Sequence, residues 1–519
     1  MNHSRLKTVY LTIILCYVAV VAKLFYWQII KYPEFSKKNT NQNYQPSAIS
    51  PKKGRIYDSS DSPLALNQTF YQLSIYKPDL KTPLEKLIEV TGSDDPQLIK
   101  FIQNPSQKWL TLKNTYDYDK KSTLIDPGFT FTSAQRRSYP EADLAKNILN
   151  GLDTYYYRQL AGKPGFVWET VDATGKTILS KSGWYIEAID GRDLHTSINR
   201  RVQAIIEKEL ADGIKNYSAD SGSITIMAPA SGAIIAMANF PATSSASTAS
   251  LFEPGSIFKP LVMAMALDSN SISSNFICTK CHSPHQIGQY AISNWDNTFH
   301  ANSDLKDIIK NSDNIGMSYI IDQVGLSKFL RYFQLLNLDR KVGIDLPGEA
   351  RPVSKNYWPE IDLATASFGQ GFAITQIQML AAFNTIANNG LLVKPNLVQA
   401  FGIGESIIPA VKTKPVKVYR PNTISEMKNI LKYSVENGVV AKFKPDNLEV
   451  CAKSGTSQVA VVGGYSDSST IASYIGFSPC LNPKFTMIVT INNPRTSPWG
   501  SSTAAPVWYK LAAEILPLL

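Results

Sequence analysis

The longest apolar stretch of the chain lies close to its first residue. Residues 9–30 are apolar apart from Lys23 and Gln28, and about 20 such residues in a helix are long enough to cross the hydrocarbon core of a bilayer. No small-residue A-x-A site of the kind cleaved by signal peptidase follows this stretch. The pattern therefore favours an uncleaved transmembrane helix over 9–30, with a removable signal peptide as the alternative.

Beyond a polar connector at 31–50, the hydrophobic periodicity changes along the chain in a fixed order. It predicts mixed short elements up to about residue 195, then strands, then helices, then strands again. The elements predicted in the last part are a helix over 200–217, a hairpin from 223–227 and 233–238, helices between 256 and about 390, strands over 450–462, 470–478 and 485–492, and a helix over 504–518. This order is typical of an α+β domain in which helices cover an antiparallel sheet.

Three short motifs follow one another in the second half of the chain. They are Ser256-Ile-Phe-Lys259, Ser312-Asp313-Asn314 and Lys453-Ser454-Gly455-Thr456. They match S-x-x-K, S-x-N and K-[ST]-G, the signature of serine enzymes that react with penicillin. Each motif alone is weak evidence, but all three in the required order predict a serine acyl-transfer site.

The residue types in these motifs explain how such a site would work. A serine hydroxyl is a weak nucleophile until a neighbouring base takes its proton, and Lys259 lies three residues from Ser256, on the same face of a helix. Burial and a second cation, Lys453, would lower the pKa of Lys259 and allow it to act as that base. Ser312 and Asn314 would give hydrogen bonds to Lys259 and to a substrate amide.

The third motif falls in an alternating run, 450–462, that predicts a strand. The edge of such a strand can pair with an extended peptide substrate. The strand can also offer a backbone N–H to an oxyanion, together with the N–H of Ser256. We therefore expect Ser454, Gly455 and Thr456 to bind the substrate.

With these motifs, the chain resembles the class B penicillin-binding proteins, which are monofunctional peptidoglycan D,D-transpeptidases. The resemblance extends over nearly the whole chain, beyond the motifs themselves. The further segments that carry it are Phe252–Pro260, Phe368–Phe372, Gly222–Pro241, Gly54–Asp58 with Pro63–Ala65, and Arg137–Pro140. Lys53 and Ser59 stand where the family has arginines.

The resemblance implies a fold, a location and a set of partners. It implies a cytoplasmic tail at 1–8, the anchor at 9–30, a non-catalytic pedestal at 31–195, and at 196–519 a transpeptidase domain of the penicillin-binding and serine β-lactamase type, outside the cytoplasm. Ser256 would be acylated, and Thr456 would give the second oxyanion N–H. The implied ligands are peptidoglycan stem peptides and β-lactams, with no cofactor or metal. The implied protein partners are a polytopic membrane glycosyltransferase and other cell-wall synthesis proteins.

The net charge of the chain is +10, which raises the question of nucleic-acid binding. The sequence contains no basic run and no DNA- or RNA-binding motif. A positive surface that faces anionic lipid or wall polymer is the better interpretation, and a charge that serves only solubility is the alternative. We expect no nucleic-acid partner.

A cluster of possible metal ligands, Cys278-Thr-Lys-Cys281-His282 with His285, lies outside the three motifs. C-x-x-C-H is formally a haem attachment sequence, and two cysteines with two histidines are formally a zinc ligand set. Four ligands within eight residues would need an unusually tight wrap. We therefore prefer a local disulfide or two free thiols.

The other two cysteines that follow the anchor are Cys451 and Cys480, near the third motif. A symmetric hairpin that turns between Tyr465 and Ser466 would place them opposite each other, at a separation suited to a disulfide. We therefore expect a Cys451–Cys480 bond, and two buried free thiols are the alternative.

Three other functions share the acyl-enzyme chemistry. A D,D-carboxypeptidase or a β-lactamase would transfer the acyl group to water, and a β-lactam sensor would signal inward. The anchor and the long pedestal argue against a free β-lactamase, and residues 1–8 are short for a signalling domain. A carboxypeptidase shares every motif and remains the main alternative to a transpeptidase.

Overall fold

The computed structural model describes residues 3–35, 44–171, 177–178, 185–355, 357–461 and 464–519. The chain divides into two compact units, each formed by two separate stretches: Met1–Lys53 with Ala161–Gly191, and Gly54–Leu160 with Arg192–Leu519. The domain boundary expected between residues 195 and 196 stays a prediction.

The smaller unit contains the apolar helix and a small sheet. The α-helix His3–Phe25 continues as a π-helical turn, Tyr26–Ile30. Within the described residues, Leu6–Ile30 is the one helix long and apolar enough to cross a membrane, with 25 residues and a mean hydropathy of 2.1. The sheet of this unit is antiparallel and consists of Tyr44–Ile49, Gly165–Val171, Thr177–Ile178 and Tyr185–Ile186.

A five-stranded antiparallel sheet forms the centre of the larger unit. We number its strands in chain order: β1 Ser221–Met227, β2 Ile234–Phe240, β3 Cys451–Val461, β4 Gly464–Ser478 and β5 Phe485–Asn492. Their spatial order is β2-β1-β5-β4-β3. The predicted hairpin forms as β1 and β2, in which Ile224 pairs with Ala238, and β3 lies at one end of the sheet.

Helices cover both faces of this sheet. Arg200–Asn216 and Ala504–Ile515 pack on one face, around Ile224, Val489 and Trp508. The other face is covered by Lys259–Asp268, Asn314–Leu335, Gln376–Ala387 and Pro421–Asn437. The remaining helices of this part are Ala246–Ala249, Leu305–Lys310 and Glu360–Ala366. The α+β fold expected from the sequence is thus confirmed.

Side chains at the helix starts show why these segments begin where they do. Asn199 accepts hydrogen bonds from the N–H groups of Arg201 and Val202 and caps the helix Arg200–Asn216. Thr375 and Gln378 form a reciprocal capping box at the start of Gln376–Ala387. The start predicted at residue 200 agrees with the helix that Asn199 caps, and the predicted end at 217 lies one residue beyond Asn216.

A second, seven-stranded sheet belongs to the same unit. Its strands are Ile56–Tyr57, Pro63–Tyr76, Trp109–Tyr116, Phe129–Ser138, Asp193–Thr196, Val398–Ile403 and Ser406–Pro409. The helices of residues 54–160 are Leu87–Thr91, Pro96–Gln103, Tyr118–Thr123, Lys146–Tyr155 and Tyr157–Leu160. Because Val398–Ile403 pairs with Asp193–Thr196, this sheet connects the region before residue 195 to the domain with the three motifs.

Two disulfides are present in the described part of the chain, Cys278–Cys281 and Cys451–Cys480. The second confirms the predicted pairing, but the register that led to it is wrong. Cys451 faces Phe477 in the ladder, and Cys480 lies beyond the end of β4, where the chain turns back. An irregularity between Gln458 and Ala460 shifts the register. Gly463, part of the predicted turn, lies outside the described residues.

Candidate active site

The predicted nucleophile lies in a tight turn that leads into a buried helix. Gly255–Phe258 forms a 3-10 turn and the α-helix begins at Lys259, whose N–H donates to the carbonyl oxygen of Ser256. The serine is partly exposed, whereas Lys259 is fully buried. The sequence predicts a helix that starts close to Ser256, and the structure shows one 3-10 turn there before the regular helix.

Lys259 is held by the second motif. Its Nζ donates to Ser312 Oγ at 3.0 Å and to Asn314 Oδ1 at 2.7 Å, and also to the carbonyl oxygen of Ser312. Burial lowers the pKa of Lys259 well below its usual range, the charge of Lys453 lowers it further, and Asp313 opposes the shift. An amine with a lowered pKa can take a proton from a nearby hydroxyl.

Asp313, within the second motif, and Asn294, outside it, hold this motif in place, and the sequence assigned neither of them a role. The carboxylate of Asp313 accepts from the N–H of Gly316 at 2.8 Å and caps the helix Asn314–Leu335. Asn294 Oδ1 accepts from the N–H of Asn314 at 2.8 Å. The preference for Asp at a helix start could have revealed Asp313, but a contact across 20 residues leaves no local signal for Asn294.

Ser312 has an unusual backbone conformation for a residue with a side chain. Its φ is +55°, in the left-handed region that only a few per cent of non-glycine residues adopt. In this conformation both its carbonyl oxygen and its hydroxyl reach Nζ of Lys259. Strained residues of this kind concentrate at functional sites.

The third motif lies on β3, directly beside the nucleophile turn. A side chain at Gly455 would bring its Cβ to 2.8 Å from Cγ2 of Ile257, so glycine permits this close approach. Lys453 is almost completely buried, and burial lowers its pKa to about 7. Its Nζ donates to the carbonyl oxygen of Ser454 at 2.9 Å. Thr456 Oγ1 accepts from the N–H of Gly500 at 2.9 Å.

The structure thus brings the three predicted motifs together in space. The first and second are joined by direct hydrogen bonds. The third packs closely against the first at Gly455 and Ile257, and the charge of Lys453 lowers the pKa of Lys259. The catalytic and substrate-binding roles assigned to these side chains stay predictions. Chemically, the arrangement offers a serine hydroxyl, a buried amine of lowered basicity and an edge strand within one site.

The cysteine cluster does not hold a metal in this arrangement. Cys278 and Cys281 are joined in a disulfide, which leaves no thiolate for zinc or haem. His285 contacts Ser318 Oγ through Nδ1 at 2.8 Å and lies near Asp322. Within the described residues, no group of three or more His, Cys, Asp and Glu side chains could hold a metal ion.

Family models match most of the larger unit. One described as "Penicillin binding protein transpeptidase domain" matches residues 222–513, and one described as "Penicillin-binding Protein dimerisation domain" matches 48–149. The first covers more than half of the chain. The chain therefore belongs to the penicillin-binding protein family and, with both domains, to its class B.

Several curated relatives are similar over nearly the whole chain. The probable peptidoglycan D,D-transpeptidase PenA of Neisseria gonorrhoeae is 23% identical, over 100% of this chain and 93% of its own. Stage V sporulation protein D of Bacillus subtilis is 25% identical, over 99% and 86%. Peptidoglycan D,D-transpeptidase FtsI of Escherichia coli is 23% identical, over 97% and 90%.

A solved structure supports the fold. Penicillin binding protein 2X of Streptococcus thermophilus superposes with a TM-score of 0.78 at 21% identity, over 91% of this chain and 80% of that one. At this level of identity the likeness concerns the fold alone.

Proposed function

We propose that this protein is a membrane-anchored peptidoglycan D,D-transpeptidase that cross-links stem peptides through an acyl-enzyme on Ser256, and that β-lactams inhibit it by acylating the same serine. The family and the names of the relatives support the reaction class. The observation that carries the assignment of the serine is the buried Lys259, one turn away from it, with a lowered pKa and bonds to the second motif.

In the proposed mechanism, neutral Lys259 takes the proton of the Ser256 hydroxyl as Oγ attacks the penultimate D-alanine carbonyl of a donor stem peptide. The tetrahedral oxyanion accepts hydrogen bonds from the backbone N–H groups of Ser256 and Thr456. The C–N bond then breaks, and the terminal D-alanine leaves with the proton. An amine of a second stem peptide attacks the ester, forms the cross-link and frees Ser256.

The remaining motif residues would bind the substrate. The outer edge of β3 at Ser454, Gly455 and Thr456 would pair with the donor peptide as an added strand. Lys453, when protonated, would attract the carboxylate of the donor's terminal D-alanine. Ser312 and Asn314 would hold Lys259 and the substrate amide.

We also propose that residues 9–30 form a single membrane span with the rest of the chain outside the cytoplasm. The length and composition of the apolar helix support this proposal. Because no glycosyltransferase domain is evident in the sequence, we expect a polytopic membrane glycosyltransferase to supply the glycan strands, with other cell-wall synthesis proteins nearby.

The decisive experiment labels the full-length protein in detergent with a fluorescent penicillin and maps the modified residue. We expect the label on Ser256, and no label on Ser256→Ala with an unchanged melting temperature. Retained labelling in that variant would overturn the assignment. Incubation with stem pentapeptide, with and without an acceptor amine, separates a transpeptidase from a carboxypeptidase, because only the former makes cross-linked product.

A further inference from the structure

A hydrogen bond joins the segment before the nucleophile to the hairpin of the third motif. The phenol of Tyr465 donates to the carboxylate of Glu253, at 3.0 Å from Oε2 and 3.3 Å from Oε1. Glu253 lies three residues before Ser256, and Tyr465 lies near the start of β4, where it pairs with Ala460 of β3. The bond therefore ties the nucleophile segment to the turn end of the β3–β4 hairpin.

The same carboxylate also holds a second segment, Phe368–Phe372. Glu253 Oε1 accepts from the N–H of Gly371 at 3.0 Å. A second bond joins the same two segments: the N–H of Gly255, two residues after Glu253, donates to the carbonyl oxygen of Gly369 at 3.0 Å. A side chain at Gly369 would put its Cβ 2.3 Å from the Gly255 oxygen. The turn before Ser256 is thus held at two points.

The surroundings keep Tyr465 in the protonated state that this bond requires. Burial and the charge of Glu253 raise the pKa of Tyr465 to about 12, so the phenol stays protonated and can donate. Burial raises the pKa of Glu253, while its two hydrogen bonds and the charge of Lys355 oppose that rise. Lys355 itself forms an ion pair with Asp362.

Small displacements at this turn would reach the reacting groups. A side chain at Gly255 would place its Cβ 3.1 Å from the carbonyl oxygen of Thr456, so the nucleophile turn and β3 already touch. The two N–H groups expected to bind the oxyanion belong to Ser256 and Thr456, one on each side of this contact. A shift of about 1 Å in such a geometry can lower a rate about 100-fold.

We propose that Glu253 is a positioning residue for Ser256, and that its bond to Tyr465 fixes the spacing between the nucleophile turn and the third-motif strand. Glu253 acts through Pro254 and Gly255 and does not touch the reacting atoms. The proposal rests on the proposed acyl-enzyme chemistry at Ser256.

The test separates reversible binding of a fluorescent penicillin from the acylation step in the full-length protein in detergent. We expect Tyr465→Phe, which removes one oxygen atom, to lower the acylation rate constant about 5-fold, and Glu253→Ala to lower it about 30-fold, with reversible binding changed less than about 2-fold. Glu253→Gln keeps an acceptor oxygen and should stay within about 3-fold of the unaltered protein. The double variant Glu253→Ala with Tyr465→Phe should be no slower than Glu253→Ala alone, because both remove the same bond.

Glu349→Gln is the matched control. Glu349 is buried, whereas Glu253 is half-buried. Glu349 accepts two backbone N–H groups, from Val342 and Gly343 at 2.6 and 2.9 Å, so its variant reports a purely structural loss. The inference is wrong if Tyr465→Phe acylates at the unaltered rate, or if the rates follow the melting temperatures in all variants including Glu349→Gln. If Glu253→Ala does not fold, the rate of Tyr465→Phe decides. Labelling that persists in Ser256→Ala would instead overturn the proposed function.

Discussion

At the scale of single residues, the two buried lysines have different hydrogen-bond partners. Lys259 donates hydrogen bonds to the second motif and lies one turn from the serine. Within the described residues, Lys453 donates only to the carbonyl oxygen of its neighbour Ser454. Both lose basicity because burial disfavours the charged form. The charge of Lys453 also lowers the pKa of Lys259, so a change at one lysine affects the other.

We predict different kinetic effects for the two lysines. Lys259→Ala removes the expected base and should lower the acylation rate constant by about 100-fold or more, the typical contribution of a general base. Lys453→Ala should mainly weaken reversible binding of the carboxylate-bearing substrate. Separate measurement of the acylation rate constant and the reversible dissociation constant checks both. Normal acylation by the Lys259 variant would contradict the assignment.

The pH dependence should follow from the same two groups. Lys259 must be neutral to accept a proton, and its lowered pKa means that activity rises with pH at values well below the usual range of lysine. Lys453 must be charged to attract a carboxylate, and it loses its charge as the pH rises through about 7. We therefore expect a bell-shaped pH profile for the ratio of the acylation rate constant to the reversible dissociation constant, with a falling limb that flattens in Lys453→Ala. If the falling limb is unchanged in this variant, it arises from the titration of a group other than Lys453.

At the scale of elements, the sequence predicts the three motif-bearing segments because each has a local signal. Helical spacing relates Ser256 to Lys259, and alternation marks the strand of Lys453. The register of β3 with β4 could not be predicted, because the irregularity after Gln458 depends on local backbone geometry and not on hydrophobicity. Contacts such as Asn294 with Asn314 and Glu253 with Tyr465 join distant segments, and periodicity carries no information about them.

The disulfide between Cys451 and Cys480 should stabilise the strand of the third motif. It closes a loop across 29 residues, and we expect its removal in Cys451→Ala with Cys480→Ala to lower the free energy of unfolding by about 2–4 kcal/mol. Denaturant unfolding measures this change. Alkylation of the unfolded protein without reductant gives an independent check, because full labelling of both cysteines in protein from its native compartment would show that the bond is absent.

At the scale of the whole molecule, the apolar N-terminal helix supports the proposed location of the chemistry outside the cytoplasm. We predict that protease added to intact spheroplasts digests the large domain, and that the mature protein keeps its N-terminal helix in mass spectrometry, because no cleavage site follows residue 30. Protection of the domain from protease would reverse the proposed orientation. A mature N-terminus beyond residue 30 would make the segment a signal peptide.

The position of β3 at the end of the central sheet has a consequence for the behaviour of the protein in solution. Within the described residues, no strand pairs with the outer edge of β3, and an open edge is a template for aggregation between copies. The stretch Ser454–Gln458, which includes the predicted substrate-binding residues Ser454, Gly455 and Thr456, consists of small and polar residues. Such residues pair poorly with an apolar strand of another copy. We therefore expect this composition, which we propose suits the edge to a peptide substrate, also to keep concentrated protein from self-association.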